Sequence, residues 1–525
     1  MRSDSGDTTS VWMATTDMPS YPPLSRDAST EVCVVGAGIA GITTAYLLAR
    51  AGTRVIVIDD GPVAGGETAR TTAHLTNAMD DRYYRLERIH GAEGARIAAE
   101  SHGAAIDRIE TICHDEGIDC AFERVDGYLF LGGRDSEEDL ARELEAAHRA
   151  GLDTVEPLDR IPRLSFDSGP CLRFPHQGQC HPLRYIAGLA RAITRNGGTI
   201  HTGSHVEGFE SRPRRPRVKT SDGHTVTADA VVFATNSPIN DWVKIHTKQA
   251  PYRTFVIGCR IPRGSVPRAL YWDTPHPYHY IRVQSGGTNG THDTLLVGGE
   301  DHKTGQRDDA DHRFRCLEQW TIERFPMVLG IDYRWSGQVM ESVDYLGFIG
   351  RNPGDEGDVF IATGDSGQGM THGTIAGILI SDLIAGRENP WAGLYDPGRK
   401  SLRAAREFAR ENINVAAQYR DYVTPGEVGS VDEIPRGTGA LVRRGRHKIA
   451  VYRDDDGTLH ERSAVCTHLY CIVDWNSVER TWDCPCHGSR FDPFGSVVNG
   501  PATAPLKEIA MEDGRVPEVA AEGGG

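Results

Sequence analysis

Six residues, Gly36-Ala37-Gly38-Ile39-Ala40-Gly41, constrain the fold of this chain more than any others, because of what flanks them. Before them Glu31 to Val35 reads as a short buried strand. After them residues 39–51, rich in Ala, Leu and Ile, read as a helix, and Arg54 to Ile58 as a second strand. The segment is therefore a βαβ unit. Gly36 permits the tight turn, Gly38 lets backbone approach a pyrophosphate, and Gly41 lets helix pack on strand. The first helical turn, Ile39 and Ala40, offers unpaired amides to the anion. Asp59, at the end of the second strand, is placed to accept hydrogen bonds from ribose hydroxyls, with Asp60 beside it. Dinucleotide binding is expected; a purely structural turn with a solvated Asp59 is the plainer alternative.

A chain of 525 residues has material for two to four domains. Lys and Arg number 57 against 73 Asp and Glu, a formal charge of −16, which repels phosphate backbones and argues against a nucleic-acid partner. Residues 1–26 are polar, without the basic and apolar regions of an export signal. The most apolar stretch, Val32 to Ala51, is interrupted by Gly36, Gly38, Gly41, Thr43 and Thr44, so no membrane span is expected and a cytoplasmic location is.

Seven of the 11 cysteines are scattered, whereas four crowd between Cys466 and Cys486. Cys466-Thr467-His468 and Cys484-Pro485-Cys486-His487 each supply one thiol and one imidazole. Zinc patterns generally pair Cys with Cys and His with His. A Rieske [2Fe-2S] centre instead takes two thiolates on one iron and two imidazoles on the other. The alternation here fits the second chemistry, with Cys466, His468, Cys484 and His487 as ligands; zinc is the minor alternative.

Between these motifs, helices are expected over Tyr84 to Glu116, Ser136 to Ala150 and Leu183 to Asn196. Short alternating runs at Thr199 to Phe209, Arg217 to Thr220 and Ala230 to Ala234 look like sheet returning to the first domain. Residues from about 240 to 345 are strand-rich. A second strand, glycine turn and helix runs from Val359 through Gly364 to Ala385. A charged helix, Arg399 to Asp421, leads to a boundary at Thr424-Pro425-Gly426.

The segment Gly65 to His74, with Gly66, Glu67, Thr68, Arg70 and Thr72, resembles the flavin-facing segment of the D-amino-acid oxidase, glycine oxidase and sarcosine oxidase superfamily. Ala234-Thr235-Asn236 is similar to its second cofactor-contacting strand end, and Gly369-Met370-Thr371-His372-Gly373-Thr374 to its C-terminal flavin-contacting turn. The resemblance implies FAD rather than NAD, held by these residues. A helix end aimed at the flavin's pyrimidine carbonyl would stabilise the anionic reduced form. His74 and His372 either contact flavin or are held by backbone bonds, and Arg70 either contacts flavin or forms an ion pair.

Residues 427–512 resemble the Rieske proteins of respiratory cytochrome bc complexes. The resemblance implies a disulfide between Cys471 and Cys486 linking the two cluster loops, and a proline loop at Gly500-Pro501-Ala502. Cytosolic glutathione opposes such a bond, but a buried, low-potential disulfide can persist; free thiols are the alternative. Tyr470 replaces a usual Gly. Ser489 is placed to donate its hydroxyl to a cluster sulfur, whereas Phe491 replaces a tyrosine and has none to give, which lowers the expected potential.

The whole order resembles bacterial FAD-dependent oxidoreductases with a C-terminal Rieske domain. The expected fold is an α/β FAD-binding Rossmann-type domain with an inserted α+β substrate domain, plus a C-terminal all-β Rieske domain. The expected parts are an N-terminal extension (1–30), the FAD domain (31–400, substrate-covering at about 80–200 and 240–345), a helical linker (401–426), the Rieske domain (427–512) and a flexible tail (513–525). The superfamily resemblance implies a small amine or amino-acid substrate that gives a hydride to flavin, leaving an imine for water to hydrolyse. Flavin takes two electrons and the cluster carries one, so a one-electron partner, ferredoxin-like or a quinone-type acceptor, is expected. Alternatively current runs inward from a ferredoxin-like donor, or the tail is an interaction or redox-sensing module on an ordinary oxidase.

In the aromatic stretch Tyr271 to Arg282, Tyr280 and Arg282 are the substrate candidates, Arg282 as a carboxylate binder; sheet packing is the plainer role. With His372 they complete the catalytic candidates. Arg334 reads most simply as an ion pair. No Asp-plus-two-His triad for a mononuclear iron stands out, and His201 with His205 reads as a strand followed by a turn.

Overall fold

The computed structural model describes residues 5–133, 135–211, 215–240, 245–275, 277–286, 290–400, 402–422 and 424–509. The expected tail 513–525, the end of the expected Rieske domain, and His276 of the aromatic stretch lie outside these residues.

The four-residue runs Val32–Val35, Val55–Ile58 and Ala230–Phe233 are apolar at every position and buried at every position, as strands covered on both faces must be. They form the centre of a six-stranded sheet with the order Phe348–Arg351, Asp358–Thr363, Ala230–Phe233, Val32–Val35, Val55–Ile58, Thr199–His201. All neighbours pair in parallel except the edge hairpin of the first two. Helices Ile39–Arg50 and Gly369–Ile384 pack against each other over it; a Cβ on Gly377 would lie 2.5 Å from Thr43 Cγ2, so glycine sets their approach.

A larger, nine-stranded sheet holds the expected substrate region. Gly330–Ser342, Gln249–Pro262, His292–Lys303, Tyr280–Gln284 and Leu270–Asp273 run antiparallel, continued by Glu123–Phe130 and Cys171–Gln179. Two details depart from the sequence pattern. The stretch 199–209 is broken at Gly203, whose φ of +63° turns the chain, so Val206–Glu210 leaves for a separate four-stranded sheet with Ala28–Ser29. The long helix Tyr83–Glu116 is interrupted at Gly91, with φ 77° and ψ 172°.

The C-terminal part consists of a three-stranded sheet (Thr438–Arg444, His447–Arg453, Leu459–Ser463) and a four-stranded one (Asp474–Asn476, Thr481–Asp483, Arg490–Phe491, Val497–Asn499). Among the described residues no helix is long and apolar enough to cross a membrane. The N-terminal residues are not a loose strand of polar chain. Trp12 is fully buried and its indole donates to Thr71 O, while the Ser10 hydroxyl donates to Ala69 O.

Candidate functional site

The glycine turn has the geometry its sequence demands. Gly36 has φ +106°, and a Cβ there would lie 2.3 Å from Ala234 O; one on Gly41 would lie 1.9 Å from Gly36 O. Asp59 closes the cradle, its carboxylate accepting from Ala37 N at 2.5 Å and Gly61 N at 2.8 Å. Thr68 Oγ1 accepts from Ile39 N at 3.0 Å. A large cavity opens from this cradle and passes under the nine-stranded sheet.

Of the expected cofactor residues, Gly36, Gly38, Ile39, Ala40, Asp59 and Asp60 line its first half. Gly66, Glu67, Thr68, Arg70, Thr72 and His74 form one wall, and Thr235, Gly369 and Met370 meet them from the other strand ends. Gly41 and Thr371 do not line the cavity. A small-residue cradle, a carboxylate at the second strand end and a helix N-terminus on the cavity fit a flavin dinucleotide.

The charged and imidazole members of this set have other partners. Arg70 is 2% exposed and ion-pairs with Glu479 of the C-terminal domain at 2.9 Å. Glu67 accepts from the Ser5 hydroxyl at 2.6 Å, Gln338 N at 2.6 Å and Arg490 Nη1 at 3.0 Å. His74 has Nδ1 3.0 Å from the Thr72 hydroxyl and Nε2 3.3 Å from Ile281 O; burial, then Arg282, pushes it down to about 3. His372 donates to Asp365 O at 2.8 Å and accepts from Gly347 N at 3.3 Å, and burial lowers it to about 4. Both rings lie on the cavity as neutral, backbone-held groups.

Arg282 corrects the expectation of a carboxylate binder. It is 1% exposed and off the cavity, donating to the carbonyls of Thr72, Ala73 and Cys180 and to Gln284 Oε1. Its Nη1 holds the flavin-facing segment against the sheet and its Nη2 goes to Gln284, while Nε has no hydrogen-bond partner among the described residues. Tyr280 does line the cavity, its hydroxyl 2.6 Å from Thr254 Oγ1.

Sequence reasoning missed the acids around it. Asp80, Asp301, Glu341 and Asp365 line the same half of the cavity, each from a different element, and no local pattern links them. Burial pushes Asp80 up to about 6 and Asp301 and Asp365 to about 7, with Asp80 adding to the last two. Glu341 is raised well above the carboxylate range, by burial and then by Asp81, Asp80, Asp365 and Asp301.

At the far side, Cys466 and Cys484 are buried and hydrogen-bonded, which holds the Cys466 thiol below its ordinary value and Cys484 above it. Ser489 donates a side-chain hydrogen bond to Cys466. The His468 and His487 rings lie 5.2 Å apart, and the buried His487 Nδ1 has no hydrogen-bond partner among the described residues. Two thiols facing two imidazoles fit a [2Fe-2S] cluster of the Rieske type. Cys471 and Cys486 form a disulfide across the two loops. The sulfurs of Cys471, Cys484 and Cys486 lie within 4.8 Å of one another, but with two of them bonded the thiol pair left for a metal is Cys466 and Cys484.

The two sites share a wall. Val497, Asn499, Gly500 and Ala502 of the C-terminal domain line the cavity, and His205 Nε2 lies 3.0 Å from Thr503 O. His246, a second residue that sequence reasoning missed, is 1% exposed and packs edge-on against both cluster-side imidazoles, 4.9 Å from His468 and 5.8 Å from His487. A single histidine in an unremarkable stretch gave no signal. The domains are fastened by a buried network. Glu479 accepts from Arg70, Thr8 and Ser336, Asp483 pairs with Arg253 at 3.1 Å, and Gln338 Nε2 donates to Gly488 O in the ligand loop.

Comparison with known proteins agrees with both halves. The FAD dependent oxidoreductase family matches residues 31–383, and the Rieske [2Fe-2S] domain family residues 424–510. A protein of Bacillus subtilis (strain 168) named for a Rieske 2Fe-2S iron-sulfur protein, YhfW, is 33% identical over 508 residues, covering 95% of this chain and 97% of its own length. The gamma-glutamylputrescine oxidoreductase of Escherichia coli (strain K12) is 28% identical over 404 residues, 73% of this chain and 91% of that one. Glycine oxidase from Geobacillus kaustophilus shares the fold, with a TM-score of 0.61 at 20% identity, over 71% of this chain and 99% of the other.

Proposed function

Since the chain belongs to the FAD dependent oxidoreductase family and ends in a Rieske [2Fe-2S] domain, we propose that it oxidises an amine or amino-acid-like substrate and passes the electrons singly to an external acceptor. The substrate's C–N unit would give up a hydride and a proton to become an imine, the proton going to solvent, and water would hydrolyse the imine; a flavin held by the glycine cradle would supply the hydride acceptor, and a cluster held by Cys466, Cys484, His468 and His487 a one-electron route to two acceptor molecules.

The chain's own residues supply the rest. Trp272 and Tyr280 wall the cavity with aromatic surface, which limits water around a hydrolysable imine. The Thr254–Tyr280 and Tyr278–Asp80 hydrogen bonds, at 2.6 and 2.9 Å, fix polar groups on that wall. The Arg282 clamp on Thr72, Ala73 and Cys180 holds the flavin-facing segment in place.

The observation that carries this reading is the shared wall: Val497, Asn499, Gly500 and Ala502 line the same cavity as the dinucleotide cradle, and His246 packs on the rings of both His468 and His487. The oxidised holoenzyme, mixed anaerobically in a stopped-flow instrument with amines, amino acids and N-methylated compounds, should lose its flavin absorbance first and its cluster absorbance second. Reduction only by an added ferredoxin-like donor would reverse the current. Full turnover with dioxygen in Cys466→Ser would make the C-terminal domain a bystander.

A further inference from the structure

We propose that the sheet-covered half of the cavity binds a dicationic amine, one carrying a second ammonium group away from the oxidised C–N bond and no carboxylate. The inference rests on the amine-oxidation reading and narrows its substrate class.

The first ground is a set of four carboxyl groups with no lining cation to pair with among the described residues. Asp80, Asp301, Glu341 and Asp365 face this space, and the lining cations do not answer them. Arg70 is paired with Glu479, and His74 and His372 are neutral. His205 sits at the opposite end with Asp60, 3.1 Å away, and Thr503 O. Behind the wall, Arg82 gives its guanidinium to the carbonyls of Met79, Asp80 and Asp273. Arg282, the residue best suited to a carboxylate, is tied to backbone.

The second ground is independent of charge and concerns hydrogen bonds. Gln368 lines the cavity and is 4% exposed. Its amide N–H groups go to Ala78 O at 2.8 Å and to Asp80, leaving Oε1 with no partner among the described residues. Asp301 Oδ1 is likewise without one. Gln338 Oε1 and Asp365 Oδ1 on the lining also lack a partner, against one amide donor, Asn236 Nδ2, so acceptors exceed donors among the described residues. An ammonium brings three donors and no acceptor, whereas a carboxylate brings only acceptors. Two ammonium groups satisfy the amide oxygen and the carboxylates together; a zwitterion adds to the surplus and meets like charge.

The test titrates holoenzyme by isothermal calorimetry with α,ω-diamines of increasing length, with n-alkylamines, and with ω-amino acids of the same lengths, following flavin absorbance anaerobically in parallel. Diamines should bind roughly tenfold or more tightly than the matching monoamines, and those more tightly than the zwitterions. In Glu341→Gln and Asp301→Asn the diamine's advantage should shrink roughly tenfold, with the flavin spectrum unchanged. Equal binding of the three classes, no binding by any, tighter binding of the zwitterions, or variants that keep the full advantage would overturn the proposal. Bleaching by zwitterions without diamine binding would remove the dication and leave amine oxidation intact. Tight diamine binding with no bleaching by any amine or amino acid would do the reverse.

Discussion

Replacing Glu479 by glutamine tests whether the buried ionic network fixes the two redox sites relative to each other. The Glu479 side chain is fully buried, with Arg70 Nη1 at 2.9 Å, Thr8 Oγ1 at 2.6 Å, Ser336 Oγ at 2.5 Å and Arg253 Nη1 at 4.0 Å. Burial by itself would raise its carboxyl. Arg70 foremost, then Arg253, Arg490 and the Ser336 hydroxyl, overcome that and hold it at about 2 instead of 4.5. At about 1.4 kcal/mol per pKa unit this depression represents roughly 3 kcal/mol in favour of the charged form. Removing one partner of a buried pair costs about 3–5 kcal/mol, because the other charge stays buried without compensation. Glu479→Gln should therefore weaken the domain junction by roughly 3 kcal/mol or more, and Glu479→Gln with Arg70→Met by less than the two single changes added together. Because the folded-state carboxyl sits below its unfolded value, this stabilisation is present above about pH 4.5 and is lost as pH falls towards 2. Scanning calorimetry of the holoenzyme at neutral and acid pH reads the cost, and anaerobic flavin-to-cluster transfer reads its consequence. A variant with wild-type thermograms and an unchanged transfer rate would refute the reasoning.

Phe491, fully buried beside the cluster site, has no hydroxyl, so Phe491→Tyr should raise the cluster's reduction potential; an unchanged or lower midpoint in protein-film voltammetry would contradict this. Cys471→Ser opens a disulfide spanning 15 residues and should cost the loop roughly 3 kcal/mol, seen as faster loss of cluster absorbance on heating. Asp80, at about 6, and Asp301 and Asp365, at about 7, are raised and so largely protonated in mildly acid solution despite the opposing pull of Arg82 on Asp80. Diamine affinity should accordingly increase as pH rises through this range, with protons released on binding; a flat profile by calorimetry in buffers of different ionisation heat would count against it.

What the sequence made legible is what local spacing encodes. The glycine turn depends on residues within one βαβ unit, and the Cys/His pairs on two short loops, so both can be read from the chain. The Glu479 network cannot, because Arg70 and Glu479 are 409 residues apart and neither carries a mark of its partner. Arg282 shows the same limit in reverse. Its place in an aromatic stretch pointed to substrate, but the carbonyls that capture it come from Thr72, Ala73 and Cys180, which only the sheet brings together. The polar N-terminus hid a fastening role, since Ser5 and Thr8 are short hydroxyl residues that become linkers only when Glu67, Glu479 and Arg490 converge on them.

The placement of the imidazoles constrains any current through the molecule. His468 and His487 are 5% and 4% exposed and packed on His246, so this edge of the cluster site is turned towards the flavin domain. An external one-electron partner, on the proposed reading, does not touch the histidine ligands and meets the cluster loops elsewhere. The outer side of the first loop carries Tyr470, which is 58% exposed, and the carbonyls of Leu469 and Tyr470 accept from the hydroxyls of Tyr419 and Tyr422. Those two rings stack on each other and belong to the linker that joins the domains. The linker thus braces the loop on the side open to solvent while Glu479 and its arginines lock the side facing flavin. On the proposed reading, a cluster held from both sides would relay electrons over a fixed span, without a large domain motion to limit each single-electron step.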